Sequence, residues 1–156
     1  VVRCLNENEN LKVLIPLILK QTYKDFEIIF VDSGSTDGTL ETIKNFLNSS
    51  NNVQLTHIKK EEFTFGKSLN IGFSKAQGEI VISLSAHCFP TSEEWLKNIT
   101  QPFLDKNIGI VYGKQSPHVN TRFSEASVQE KWFSGESMIK EDIFLNHYKF
   151  LVLYQT

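Results

Sequence analysis

Cysteine is scarce in this chain, and its two cysteines, Cys4 and Cys88, lie far apart. No pair has the C-x-x-C spacing of a zinc or redox site, and two cysteines cannot form the disulfide framework of a small secreted protein. We therefore expect a reducing, cytoplasmic compartment. A catalytic pair of Cys88 with its neighbour His87 is disfavoured, because adjacent residues on an extended chain point to opposite sides.

Long apolar runs and a strong net charge are also absent. The longest apolar stretch, residues 13–19, contains Pro16, so we predict no membrane span. Sixteen basic and 18 acidic residues give a formal net charge of −2, which does not provide the basic surface that nucleic acid requires. The first residue is Val1, and residues 1–4 already have the apolar character of a strand. We therefore expect a piece of a longer protein.

Short apolar runs alternate with helix-periodic stretches through about residue 113. The runs predict strands at residues 1–4, 26–31, 53–58, 79–84 and 108–112. The periodic stretches predict helices at residues 11–19, 40–47 and 66–76 and a further helix opened by a capping box of Thr91 with Glu94. This alternation is typical of an α/β fold with a mainly parallel sheet and helices on both faces. Residues 116–127 are predicted to be a loop, and the apolar tail from residue 143 has no clear period.

Four polar segments follow the predicted strands, namely residues 6–7, 32–38, 66–70 and 85–88. In open α/β sheets ligands bind outside the carboxyl ends of the strands, so these segments predict a binding cleft. Asp32 has two interpretations, a ligand contact or a cap on the following turn, and its position alone favours the cap. Asp37 is interpreted as the N-cap of the next helix.

Lys67 lies in a Gly-Lys-Ser segment that is not a phosphate-binding P-loop, because Glu61 occupies the place of the motif's first glycine. Lys67 nevertheless lies near a predicted helix N-terminus, where a diphosphate would be favoured. By residue type, His57 and His87 are the side chains best suited to a transition metal. No second histidine or carboxylate lies at close ligand spacing to His87, and a lone histidine is more often a hydrogen-bonded structural residue than a ligand.

Five segments, taken in order and spacing, resemble family 2 glycosyltransferases over roughly residues 1–113. They are RCLNE at 3–7, QTYKDFEII at 21–29, VDSGSTDGT at 31–39, GKSLNIG at 66–72 and GEI at 78–80. The resemblance implies a GT-A type, Rossmann-like nucleotide-sugar fold that is incomplete at its C-terminus. It implies a nucleotide-sugar-binding α/β core at residues 1–113, followed at 114–156 by a partial acceptor-side region and an unplaced tail.

The resemblance also implies a function, the transfer of a sugar from a UDP- or dTDP-sugar to an acceptor hydroxyl. The acceptor would be a carbohydrate or a lipid-linked molecule, in bacterial polysaccharide or cell-envelope synthesis at the inner face of the membrane. The implied nucleotide-sugar-binding residues are Leu5, Asn6, Glu7, Asp32, Gly34, Lys67, Asn70, Ser85 and Ala86. Among them, the end of the first strand and Asp32 would hold the base, and Lys67 and Asn70 would lie near the ribose or diphosphate.

Ser85, Ala86 and His87 stand where the family usually carries D-x-D, a motif that contacts the ribose and a divalent cation. His87 suits Mn²⁺ better than Mg²⁺, which prefers oxygen ligands. The metal requirement is therefore left open. A Ser-Ala-His variant resembles that of rhamnosyltransferase-like sequences in the family, so its presence does not imply inactivity.

The family's general base is a later carboxylate, and Glu141-Asp142 is interpreted here as a solvated pair rather than that base. We therefore expect the chain to lack the catalytic base. An alternative is a truncated nucleotide-binding module without turnover. A second is a receiver-like domain with Asp32 as phosphoacceptor and Lys114 as its lysine. A truncated sheet also predicts self-association.

Overall fold

The structure is a computed structural model that describes residues 1–48, 52–117, 121, 123–132 and 150–151. The strands among these residues are β1 Val2–Cys4, β2 Ile28–Asp32, β3 Val53–His57, β4 Val81–Ile82, β5 Leu84–Ser85 and β6 Phe150–Leu151. The helices are α1 Asn8–Leu19, α2 Thr39–Leu47, α3 Phe65–Phe73, α4 Trp95–Thr100 and α5 Phe123–Trp132. Two 3₁₀ turns lie at Lys60–Glu62 and Gln101–Leu104.

The main sheet is parallel throughout and has the strand order β3-β2-β1-β5. Its central strand β2 is buried along its whole length, as its continuous apolar run predicts. The register pairs Cys4 with Asp32 and Asp32 with His57, so that three strands end side by side. A separate two-stranded parallel ladder joins β4 to β6.

Helices cover both faces of this sheet, so the predicted α/β architecture is confirmed. On one face, α1 and α2 pack on alternate strand residues such as Val2 and Phe30. On the other face, Ile29, Val31 and Ile58 form a smaller apolar cluster beneath α3. In the part of the chain that is described, no helix is both long and apolar enough to cross a bilayer.

Gln21 anchors α4 to the end of α1 through a buried side-chain amide that is 1% exposed. Its amide nitrogen donates to the Ser92 carbonyl at 2.8 Å, and its oxygen accepts the Leu96 N–H at 2.9 Å. Each of these buried groups would be costly without a partner. One side chain therefore fixes the start of α4.

Two predicted strands are wrong in detail. Residues 79–84 do not form one strand, because Val81–Ile82 pairs with β6 while Leu84–Ser85 pairs with β1. Residues 108–112 form no strand, and Tyr112 is 59% exposed. An apolar run favours extended backbone, but a strand forms only where a neighbouring strand is aligned to hydrogen-bond with it.

The helices also differ from expectation at two places. The predicted capping box of Thr91 with Glu94 is wrong. Helix α4 begins at Trp95, and the Glu94 side chain contacts Lys97 instead of the backbone of Thr91. Residues 123–132, predicted to lie partly in a loop, form α5. That segment contains good helix formers without an apolar stripe, so periodicity alone could not detect it.

Gly72 and Gly66 lie in the same helix and provide a matched test of its packing. A Cβ at Gly72 would lie 2.4 Å from Val1 Cγ1 and 3.1 Å from Val31 Cγ2, whereas a Cβ at Gly66 meets nothing within 4 Å. We expect Gly72→Ala to lower the free energy of unfolding by about 1–3 kcal/mol through overpacking. Gly66→Ala should be neutral or slightly stabilising. Urea denaturation checks both, and equal effects would contradict the packing of α3 on the sheet.

Candidate functional site

The polar segments after β1, β2 and β5 meet at one edge of the sheet. Because β1 lies between β2 and β5 and all three strands are parallel, their carboxyl ends and following loops are neighbours. Leu5 is 41% exposed at the end of β1 and offers an apolar surface there. The predicted convergence of these segments is therefore present for three of the four.

Asp32 caps the loop that follows β2. Its side chain is 1% exposed, and Oδ2 accepts the N–H groups of Gly34 at 2.9 Å and Ser35 at 3.2 Å. Gly34 has a φ of 95°, a conformation that glycine adopts without steric cost. The interpretation of Asp32 as a turn cap is confirmed. A carboxylate enclosed in this way also does not suit a receiver-like phosphoacceptor.

Asn6 joins the β1 loop to the β2 loop. Its N–H donates to Ser35 Oγ at 2.9 Å, and its Oδ1 accepts the Thr36 N–H at 2.8 Å. Asn6 has a φ of 56°, which asparagine tolerates better than most residues. The two loops are thus held as one surface by side-chain contacts with backbone.

Asp37 caps two helices at once. Its Oδ2 accepts the Asn8 N–H at 3.0 Å, and its Oδ1 accepts the Thr39 N–H at 3.1 Å. The hydrogen bond from the Thr39 hydroxyl, with those two N–H groups, holds the pKa of Asp37 below its ordinary value. The assigned N-cap of α2 is Gly38, one residue later than predicted, but the carboxylate performs the capping.

Glu7 and His87 connect the β1 loop to the β5 loop. Glu7 Oε1 lies 2.8 Å from His87 Nδ1, and Ser85 Oγ lies 3.0 Å from His87 Nε2. The Glu7 side chain is 15% exposed and that of His87 is 45% exposed. Burial raises the pKa of Glu7, but hydrogen bonds from His87 and Asn10 outweigh it and hold this pKa below the ordinary 4.5.

The lowered pKa of Glu7 predicts a pH dependence of stability. A depressed folded-state pKa contributes stability that is present above the unfolded value of 4.5 and is lost as pH falls through the folded pKa. We expect Glu7→Gln to destabilise the chain at neutral pH and to differ less from wild type in acid. Urea midpoints measured across this pH range test this, with the exposed Glu41→Gln as control. A gap between wild type and Glu7→Gln that stays constant with pH would contradict it.

Lys67 and Asn70 lie on α3, and both residues are exposed. Thr64 caps this helix by accepting the Lys67 N–H at 3.0 Å, so Lys67 is in the first turn as predicted. Its ammonium group donates to Glu62 at 2.8 Å. Phe65, the first residue of α3, lies under the Arg3 guanidinium of β1, with 5.0 Å to the ring centroid. The start of α3 is thereby placed against β1.

Ser85 and Ala86 are buried, at 7% and 0% exposure, and the Ala86 side chain belongs to the core. Of the two, Ser85 has the polar side chain, and its hydroxyl faces the His87 ring. Burial raises the pKa of the Cys88 thiol to about 11, so this cysteine stays protonated at neutral pH. The catalytic Cys–His pair remains disfavoured on chemical grounds as well.

His57 is a neighbour of Asp32 that the sequence analysis considered only as a metal ligand. The two residues are register partners at the ends of β3 and β2, with 3.6 Å between His57 Nδ1 and Asp32 Oδ2. The His57 side chain is 56% exposed, whereas Asp32 is enclosed. The strand pairing that brings them together could not be read from their spacing.

A divalent cation fits this site only if a bound diphosphate and water complete its coordination. The described residues contain no group of three His, Cys, Asp or Glu side chains that could hold a metal ion by themselves. His87 offers one imidazole nitrogen and Ser85 one hydroxyl, which suits Mn²⁺ completed by phosphate oxygens and water better than Mg²⁺. Glu141-Asp142, the pair interpreted as solvated, lies outside the described residues.

Comparison with known proteins shows the family to which this chain is similar. The profile of "Glycosyl transferase family 2" matches residues 1–152. The chain is 31% identical over 113 residues to glycosyltransferase GlyG of Streptococcus pneumoniae, covering 72% of this chain and 37% of GlyG. It is 24% identical over 128 residues to the O-antigen chain rhamnosyltransferase RfbN of Salmonella typhimurium, covering 81% of this chain and 40% of RfbN.

Solved structures show the same fold. TarS 1–349 of S. aureus superposes with a TM-score of 0.64 at 25% identity, over 78% of this chain and 36% of TarS 1–349. Mannosyltransferase PcManGT of Pyrobaculum calidifontis, solved with GDP-Man and Mn²⁺, has a TM-score of 0.64 at 26% identity, over 73% of this chain and 34% of PcManGT. The chain thus spans about two fifths or less of the length of these relatives.

Proposed function

Because the chain belongs to glycosyltransferase family 2, we propose that it forms the donor-binding part of an enzyme that transfers a sugar from a nucleotide-sugar to an acceptor hydroxyl. The donor would be a UDP- or dTDP-sugar, and the acceptor a carbohydrate or lipid-linked molecule in bacterial polysaccharide or cell-envelope synthesis. The observation that carries this proposal is the joining of three loops at one sheet edge by the Asn6–Thr36 and Glu7–His87 contacts.

The nucleobase and ribose would lie over the loops that follow β1 and β2. Leu5 supplies exposed apolar surface for a base, and the loop at Gly34 has no Cβ to obstruct close approach. The enclosed carboxylate of Asp32 would act mainly by holding this loop in shape, through the N–H groups of Gly34 and Ser35. Preorganised loops of this kind lower the ordering cost of binding.

The diphosphate would lie between α3 and the β5 loop. Lys67 would exchange its partner Glu62 for phosphate oxygens, which is feasible because both side chains are about half exposed. The free N–H groups of a helix N-terminus also favour an anion near Lys67, and Asn70 lies on the same helix. His87 and Ser85 would hold Mn²⁺, whose charge stabilises a diphosphate leaving group.

Calorimetric titration of the chain with UDP and with dTDP, each with and without Mn²⁺, tests this proposal. We expect saturable binding that Mn²⁺ strengthens, and weak binding of Mn²⁺ alone because the protein supplies few ligands. Lys67→Ala should weaken nucleotide binding. Lys97→Ala, which removes another lysine paired with a nearby glutamate at 2.9 Å, should not. A folded chain that binds neither nucleotide would overturn the donor site.

Binding without turnover is the second candidate, because the carboxylates of the described loops, Asp32, Asp37 and Glu7, all accept hydrogen bonds that hold the loops together. Hydrolysis or transfer of a UDP-sugar by this chain would exclude it. Binding of UDP together with no consumption of any sugar nucleotide would support it.

A further inference from the structure

Glu7, in the loop that follows β1, contacts a ring nitrogen of His87 in the loop that follows β5. We propose that Glu7 is a positioning residue that holds the His87 ring in the tautomer with hydrogen on Nδ1, so that Nε2 is free to bind the divalent cation. This inference rests on the proposed donor site, since the cation would be shared with the bound diphosphate.

The proton assignment follows from the chemistry of the two groups. A glutamate is ordinarily ionised at neutral pH, and an ionised carboxylate can only accept hydrogen bonds. The 2.8 Å separation of Glu7 Oε1 and His87 Nδ1 is that of a hydrogen bond, so the hydrogen must be on Nδ1. In the neutral ring the lone pair is then on Nε2.

Ser85 leaves that lone pair usable. Its hydroxyl oxygen lies 3.0 Å from Nε2 and 3.3 Å from Nδ1, so it sits over the face of the ring and not in line with the Nε2 lone pair. The backbone of Ser85 is fixed by its place in β5, opposite Arg3 of β1. The direction of the Nε2 lone pair, in the plane of the ring, is therefore not occupied by this hydroxyl.

Glu7 is itself held from several sides, as a positioning residue requires. Its Oε2 accepts the Asn10 side-chain amide at 2.5 Å, and its N–H donates to Thr39 Oγ1 at 2.8 Å. Metal-binding histidines commonly donate their second ring N–H to a carboxylate, and loss of that partner typically lowers metal affinity about 10–100-fold. The pair spans the β1 and β5 loops, so it also aligns the two sides of the site.

The ring nitrogens can be observed directly by proton–nitrogen correlation spectra of ¹⁵N-labelled chain, at about pH 8, where an ordinary histidine is neutral. The His87 signals are identified by their loss in His87→Asn. We expect the Nδ1–H tautomer in wild type, its loss in Glu7→Ala, and its retention in Glu7→Gln, whose amide oxygen can still accept. An Nε2–H tautomer in wild type, or no change in Glu7→Ala, would overturn the inference.

The effect on metal is measured as the ratio of UDP affinities with and without Mn²⁺. Glu7→Ala should reduce this ratio about 10–100-fold. If Mn²⁺ raises the UDP affinity of the wild type by less than that, the ratio should fall to one. Glu7→Gln should keep most of it, and Glu9→Ala, an exposed glutamate paired with Lys12, should keep all of it. An unchanged ratio in Glu7→Ala would refute the positioning role. Failure of wild type to bind UDP would instead refute the donor site, and the tautomer spectra, which need no nucleotide, would still decide the role of Glu7.

Discussion

Phe30→Ala is expected to lower the free energy of unfolding by about 3–5 kcal/mol. Phe30 lies at the centre of β2, is 0% exposed, and meets Phe46 of α2 edge-to-face, with 6.4 Å between the ring centroids. The substitution would remove a large buried ring and its edge-to-face contact with Phe46. It would also leave a cavity between the sheet and the layer formed by α1 and α2.

Phe123→Ala is the matched control, since that ring is 89% exposed. Urea denaturation followed by circular dichroism would compare the two variants, with an expected effect near zero for Phe123. If Phe30→Ala were as stable as wild type, the assignment of β2 to the centre of the core would be wrong.

Asp32→Ala is expected to disable the candidate site and also to destabilise the fold. The substitution would remove the acceptor for the N–H groups of Gly34 and Ser35, and a hydrogen bond to a charged group contributes about 1.5–3 kcal/mol. The loop after β2 would lose its shape, and with it the contacts from Asn6 that join it to the β1 loop. We expect a lower urea midpoint and no saturable UDP binding.

Two further variants separate these effects. Asp25→Ala removes an exposed carboxylate just before β2 and should leave both stability and binding unchanged. Asp32→Asn keeps one acceptor oxygen, so it should retain part of the stability that Asp32→Ala loses. Normal UDP affinity in Asp32→Ala would show that this loop does not belong to the nucleotide site.

The sequence by itself determined the architecture and indicated the sheet edge at which the candidate site lies. Continuous apolar runs predict β1, β2 and β3, and helix periodicity predicts α1, α2 and α3, because burial on one or both faces imposes those periods locally. Polar residues after the strands indicate the binding edge, since parallel strands end together. The capping role of Asp32 could also be predicted from the sequence, because the N–H groups that it accepts lie only two and three residues further along the chain.

Tertiary structure alone decided which distant residues meet. The split of residues 79–84 between two ladders depends on where β1 and β6 lie, and neither position is encoded in that run. The contacts of Glu7 with His87 and of His57 with Asp32 join segments that are far apart in the chain. Strand order and register bring those side chains together, and they are set by the packing of the whole sheet rather than by any local pattern.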